Sequence, residues 1–86
     1  MSNDSDIVIT PAQCRAGRAL VRISQDDLAT KAEVGSKTVA DFEREAGREL
    51  NIRTLRAIRT ALEQAGVVFV DPNGLGAGVR LRFGAK

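Results

Sequence analysis

Between Ser24 and Glu43 lie two short periodic runs separated by a brief interruption, and this segment constrains the fold more than any other. Ser24 can accept a hydrogen bond from the backbone N–H of Asp27. The Asp27 carboxylate then falls in the first turn, where the helix dipole favours negative charge, so a helix begins at Gln25. Leu28, Ala29 and Ala32 fall at helical spacing on one face. Glu33-Val34-Gly35 breaks the pattern, and Ser36 opens a second run carrying Val39 and Phe42. A connection of three to four residues is the turn length of a helix-turn-helix pair.

The flanking sequence supplies what such a pair must pack against. Thr10-Pro11-Ala12-Gln13 combines a capping threonine, a proline at the first helical position and a Gln three residues after the cap, which predicts a helix from about Pro11 to Val21. Its inner face is read as Cys14, Gly17 or Arg18, and Val21, with Arg15 and Arg22 pointing elsewhere. The small Ala16, Gly17 and Ala19 permit close approach of a neighbour. Arg44 to Leu50 reads as a charged loop. Asn51 can cap a further helix, on which Leu55, Ile58, Leu62 and Ala65 form an amphipathic stripe with Arg53, Arg56, Arg59 and Glu63 largely outside it. Gly66 ends that helix as a left-handed cap. Val67 to Val70 and Val79 to Phe83 read as strands joined through an Asp71-Pro72-Asn73-Gly74 turn. The expected organisation is a flexible tail at 1–6, a helix-turn-helix domain at 7–65 and a C-terminal β-hairpin at 66–86. In fold class this is mainly α, with four to five helices.

Composition narrows the function classes. With 86 residues, 43% of them apolar, the chain can bury one modest core. Three Phe without Trp or Tyr supply no aromatic stacking surface of the kind used on single-stranded nucleic acid, which favours duplex as a ligand. The net charge of +2 is slight, but the bases are ten Arg against three Lys, and the planar guanidinium suits phosphate. One cysteine and no His exclude an internal disulfide and the usual zinc site, and no cofactor is expected. Without a signal-like N-terminus or an apolar run of about 20 residues, a cytoplasmic protein with no membrane partner is expected. No His and no nucleophile with an adjacent base argue against an enzyme. Gly74 to Gly78 precedes a strand rather than a helix, so it is no phosphate cradle.

Taken together, Gln25, Leu28, Ala29, Val34, Val39 and Glu43, with Arg18 and the Leu55/Ile58/Leu62 stripe, resemble the Cro/Xre-type, phage-repressor-like helix-turn-helix family over residues 9 to 65. Ala65 to Val70 followed by Gly78 to Arg82 look like the ending of short bacterial members that carry a C-terminal strand pair. The resemblance implies a repressor-like fold and sequence-specific duplex binding. It also implies a phosphate contact from Gln25, and an ion pair between Arg18 and Glu43 that ties the first helix to the end of the third. Glu33 stands where the family often has Gly and must take up the turn without glycine's freedom at positive φ. Gly35 stands at the cap of the third helix, often Ser or Thr.

In this docking mode the second helix of the pair enters the major groove. Ser36, Lys37 and Asp41 are then the base-contact candidates: Lys37 for guanine O6/N7, Ser36 for either a donor or an acceptor, Asp41 for cytosine N4. Asp41 can equally pair with Lys37 one turn away. Thr38, Arg44 and Arg48 are phosphate candidates beside Gln25. Cys14 reads as a small core residue. Val68, Val70, Val79, Leu81 and Phe83 are read as one apolar hairpin face. It can be covered either within the chain or by a second copy, and the homodimer is favoured because it places two recognition helices on one DNA face. The expected function is therefore a homodimeric transcriptional regulator on double-stranded DNA. The alternative is an adaptor on the same helical fold, such as an antitoxin or antiactivator, that holds a regulatory protein partner.

Overall fold

The structure, a computed structural model, describes residues 8–46, 50–70 and 76–82. Among these residues, four helices precede a two-stranded antiparallel sheet: α1 (Pro11–Val21), α2 (Gln25–Ala32), α3 (Ser36–Glu43), α4 (Ile52–Gln64), β1 (Val67–Val70) and β2 (Gly78–Leu81). The expected tail at 1–6 lies outside the described residues, as do the turn at 71–74, Arg48 and Phe83.

Local chemistry sets most of these boundaries. Thr10 Oγ1 accepts from the Gln13 N–H at 3.1 Å while the Gln13 carboxamide accepts from the Thr10 N–H at 2.9 Å. Ser24 and Asp27 make the same reciprocal pair at 2.9 and 3.2 Å, so α1 and α2 both begin with a capping box. Asn51 caps α4 through the Thr54 N–H at 2.9 Å. Gly35 caps α3 without a side-chain bond. Glu33, at φ +61°, ends α2 in the left-handed region, and Arg22, at φ +60°, ends α1 in the same way. Beyond α4, Gly66 takes φ +115°.

The core is assembled around α1, which packs on α3, α4 and both strands, while α2 packs on α3 and α4. Cys14, Leu28, Val39, Ile58, Leu62 and Val67 are its fully buried members. Of the small residues on α1, only Gly17 sits at this interface; Ala12, Ala16 and Ala19 are exposed. A Cβ at Gly17 would lie 3.4 Å from Leu62 and 3.6 Å from Val67. No helix among the described residues is long and apolar enough to cross a membrane.

The hairpin corrects one expectation. Its register pairs Val67 with Leu81, Val68 with Arg80, Phe69 with Val79 and Val70 with Gly78. Directly opposed residues share a sheet face and the side-chain period is two. Val79 and Leu81 therefore lie on one face with Val67 and Phe69, whereas Val68 and Val70 lie on the other beside Arg80. They are not one apolar surface. The inner face is covered within the chain, Val67 in the core and Phe69 and Val79 against it. Gln13, 4% exposed, braces the hairpin by donating from Nε2 to the carbonyls of Gly78 at 3.1 Å and Val70 at 3.4 Å.

Candidate nucleic-acid interface

The only acidic side chain in the core of the described residues is Glu43, at the last position of α3. Helical spacing from Val39 turns it inward, and an isolated carboxylate there would carry a large desolvation cost. The neighbours remove that cost. Arg18 grips it with both faces of its fork, Nε donating to Oε2 and Nη2 to Oε1, each at 2.7 Å. Cys14 Sγ donates to Oε2 at 3.0 Å, and Gln25 Nε2 to Oε1 at 3.0 Å. Arg15 donates to the Glu43 backbone carbonyl, closing the end of α3, and Arg18 Nη1 reaches the Ile23 carbonyl at 3.1 Å. No buried side-chain polar atom among the described residues lacks a partner.

The electrostatic outcome follows from these bonds. Burial opposes ionisation of Glu43, but hydrogen bonds from Arg18, Cys14 and Gln25 outweigh it and hold the carboxyl below its ordinary range. Burial pushes the Cys14 thiol far up, and the neighbouring carboxylate adds to the shift. The thiol is a donor here, not a nucleophile.

One carboxylate thus ties the first residue of α2 and the last of α3 to the middle of α1. That fixes the angle at which α3 is presented. On the outside of this brace, Arg15, Arg18, Gln25, Ala40, Glu43 and Arg44 line a shallow depression. Arg15 and Arg44 stand at its rim with side chains 46% and 66% exposed, enough for either to reach a ligand.

The exposed side of α3 carries Lys37, Asp41 and Arg44 at spacings of four and three, a single stripe. Both pairs are formed: Lys37 Nζ to Asp41 Oδ2 at 3.2 Å, and Arg44 Nη2 to Asp41 Oδ1 at 2.6 Å. Hydrogen bonds from Arg44 and Lys37 hold Asp41 below the usual carboxylate range. Ser36 is exposed at the first turn and Thr38 is half-buried beside Phe42 and Leu50.

Lys37, Asp41 and Arg44 therefore share the outer side of α3, Ser36 is exposed at its first turn on the side of Val39 and Glu43, and Gln25 lies on the adjoining depression. Arg48 lies outside the described residues. Three roles escaped the sequence reading. Arg15 points toward α3 rather than elsewhere, and the signal was its position one turn before Arg18. Cys14 bonds the carboxylate as well as filling the core. Arg59 lies over the Phe69 ring at 4.7 Å while donating to the Val8 carbonyl and to Glu63, joining α4 to β1 and to the chain entering α1. No family model matches the chain and no curated protein is similar to it.

Proposed function

We propose that the protein binds duplex DNA as a helix-turn-helix regulator, with α2 lying across the backbone and α3 in the major groove. The observation that carries this reading is the presentation of α3. It is a short helix with polar and charged side chains along its outer side, held from behind by Glu43 and flanked by a depression with Arg15, Gln25 and Arg44 around it. Phosphate contacts position such a helix and base contacts specify its site.

Gln25 already spends one amide N–H on Glu43. The carboxamide has two such donors, and the brace aims the second. Arg15 and Arg44 supply charge, and Ser36 and Lys37 supply the base-reading groups at the start of α3. Two copies bound at half-sites one helical turn apart, about 34 Å, would be joined through the outward hairpin face of Val68 and Val70.

The test is a titration of duplex against the full chain at several salt concentrations. Lys37→Ala is expected to lose roughly 1–3 kcal/mol on the preferred site and less on random DNA. Equal losses on both would make Lys37 a phosphate contact, and salt-independent binding or none would overturn the reading. An adaptor for another protein is the alternative reading, and it would leave the protein without affinity for duplex at low salt.

A further inference from the structure

On the outer stripe of α3 a single carboxylate holds two cations, one on each oxygen. Lys37 and Arg44 are the two basic residues on the stripe, with side chains 84% and 66% exposed, and Asp41 between them is 35% exposed. Such exposed pairs add little to stability, and an acid in the second half of a helix opposes the helix dipole. The fold does not account for Asp41. A protein that gripped DNA by charge alone would do better with Asn or Ser at this position.

Resting on the DNA-binding reading, we propose that Asp41 is a specificity-determining residue that withholds Lys37 and Arg44 from DNA unless a cytosine amino group takes its carboxylate. The reasoning is one of exchange. A duplex offers phosphates at every step, and a carboxylate facing them is repelled whatever the sequence. Among the major-groove edges, cytosine N4 and adenine N6 are amino donors, but adenine sets its donor beside the N7 acceptor, which repels a carboxylate, so cytosine is the edge that suits Asp41; guanine presents the O6/N7 acceptors that Lys37 can meet. At a site that supplies both, Asp41 turns to cytosine, Lys37 is released to guanine, and Arg44 is released to a phosphate. At a site without the donor the carboxylate keeps its two cations and the helix presents little net charge. Specificity arises here by penalising wrong sequences rather than by tightening the right one.

The geometry also limits the spacing. Lys37 and Asp41 are four residues apart, about 6 Å along the helix at 1.5 Å per residue, against a base step of about 3.4 Å. The guanine and the cytosine they read should stand one to two base-pair steps apart.

The experiment compares the full chain with Asp41→Asn, which keeps the side-chain shape and removes the charge, and with Asp41→Ser as a second variant. Each is titrated by fluorescence anisotropy with a random-sequence duplex of about twenty base pairs over a range of salt, and each is used to select sites from a randomised duplex library. Both variants should bind the random duplex roughly three- to tenfold tighter near 0.1 M salt. Their log–log salt slope should rise in magnitude by roughly 0.9 for each cation newly placed on a phosphate. The library selected by the intact chain should be enriched in a guanine and a cytosine at the stated spacing, and the variants should lose the cytosine. In Asp41→Asn/Lys37→Ala part of the gain on random duplex should disappear. If the intact chain binds duplex and both variants bind it with unchanged or lower affinity and slope, the proposal is overturned while the DNA reading stands. If neither the chain nor the variants bind duplex, the DNA reading itself has failed and the proposal falls with it.

Discussion

Replacing Glu43 by Ala should be the most damaging single substitution on the α3 side of the molecule, and its magnitude follows from the contacts. The carboxylate is 3% exposed at the side chain, and its removal strands an Arg18 guanidinium that is 21% exposed, together with donors from Cys14 and Gln25. Breaking a buried pair from one side costs about 3–5 kcal/mol. Because Arg18 retains some access to water, the lower end, about 3 kcal/mol, applies. A chain of 86 residues has roughly 4–13 kcal/mol to lose, so the variant should stay folded at low temperature but melt roughly 12–24 °C lower. Differential scanning calorimetry on Glu43→Ala, Arg18→Ala and the double variant closes a cycle. A coupling energy of about 1–3 kcal/mol is expected, because once one partner is gone the other's removal no longer breaks the pair. Acidification adds a second axis. The folded carboxyl titrates below its unfolded value of about 4.3, so its contribution is complete above that pH and is lost as pH falls through the folded value. Intact protein should therefore lose stability below about pH 4 more steeply than Glu43→Ala does. Additive single losses, or parallel acid curves for the two proteins, would refute the claim that this pair carries the brace.

Glu33→Gly should stabilise by about 0.5–1 kcal/mol in a thermal melt, since relief of the left-handed backbone at φ +61° outweighs the added freedom of the unfolded chain. Gly17→Ala should also be neutral to stabilising by up to about 1 kcal/mol, because the new methyl meets Leu62 and Val67 at ordinary contact distance and the helix gains propensity; a loss above about 1 kcal/mol would mean that α1 and α4 cannot yield at all. If the outward hairpin face joins two copies as proposed, Val68→Lys should lower the dimer fraction in sedimentation equilibrium without lowering the melting temperature of the protomer, whereas the same substitution at Val67 should unfold the protein, since Val67 is 1% exposed.

Why some of this was legible in the sequence and some was not depends on how far the signal travels. The starts of α1, α2 and α4 are set by bonds spanning three residues, Thr10 to Gln13, Ser24 to Asp27 and Asn51 to Thr54, and can be read from the spelling of each segment. The stripe on α4 was equally plain, because Arg56 and Thr60, both exposed, mark the outer face between Leu55, Ile58 and Leu62. Val67-Val68-Phe69-Val70 has no polar residue to mark a face. Four apolar side chains in a row leave the parity of a strand undetermined, and only the register with β2 puts Val68 and Val70 on the face opposite Val79 and Leu81. The left-handed end of α1 at Arg22 was missed for a different reason. The sequence there offers neither Gly nor Asn, and the bonds that hold the chain at this end centre on Arg18, whose carbonyl accepts from the Ile23 N–H at 3.2 Å and whose Nη1 donates to the Ile23 carbonyl at 3.1 Å.

The site was legible only in its outline. Gln25, Lys37, Asp41 and Arg44 stand where helical spacing put them, but the partners that decide what each can do come from elsewhere in the chain. Gln25 is eighteen residues from Glu43, Arg18 twenty-five and Cys14 twenty-nine. This connection also governs how variants must be read. Because Glu43 holds both the start of α2 and the end of α3, loss of DNA affinity in a Glu43 or Arg18 variant would reflect a changed angle between helices and would not identify either residue as a contact. Lys37 and Asp41 lie outside that brace, on a face whose pairs contribute little to stability. Changes in duplex binding there, measured well below the melting temperature, would report on the proposed interface itself.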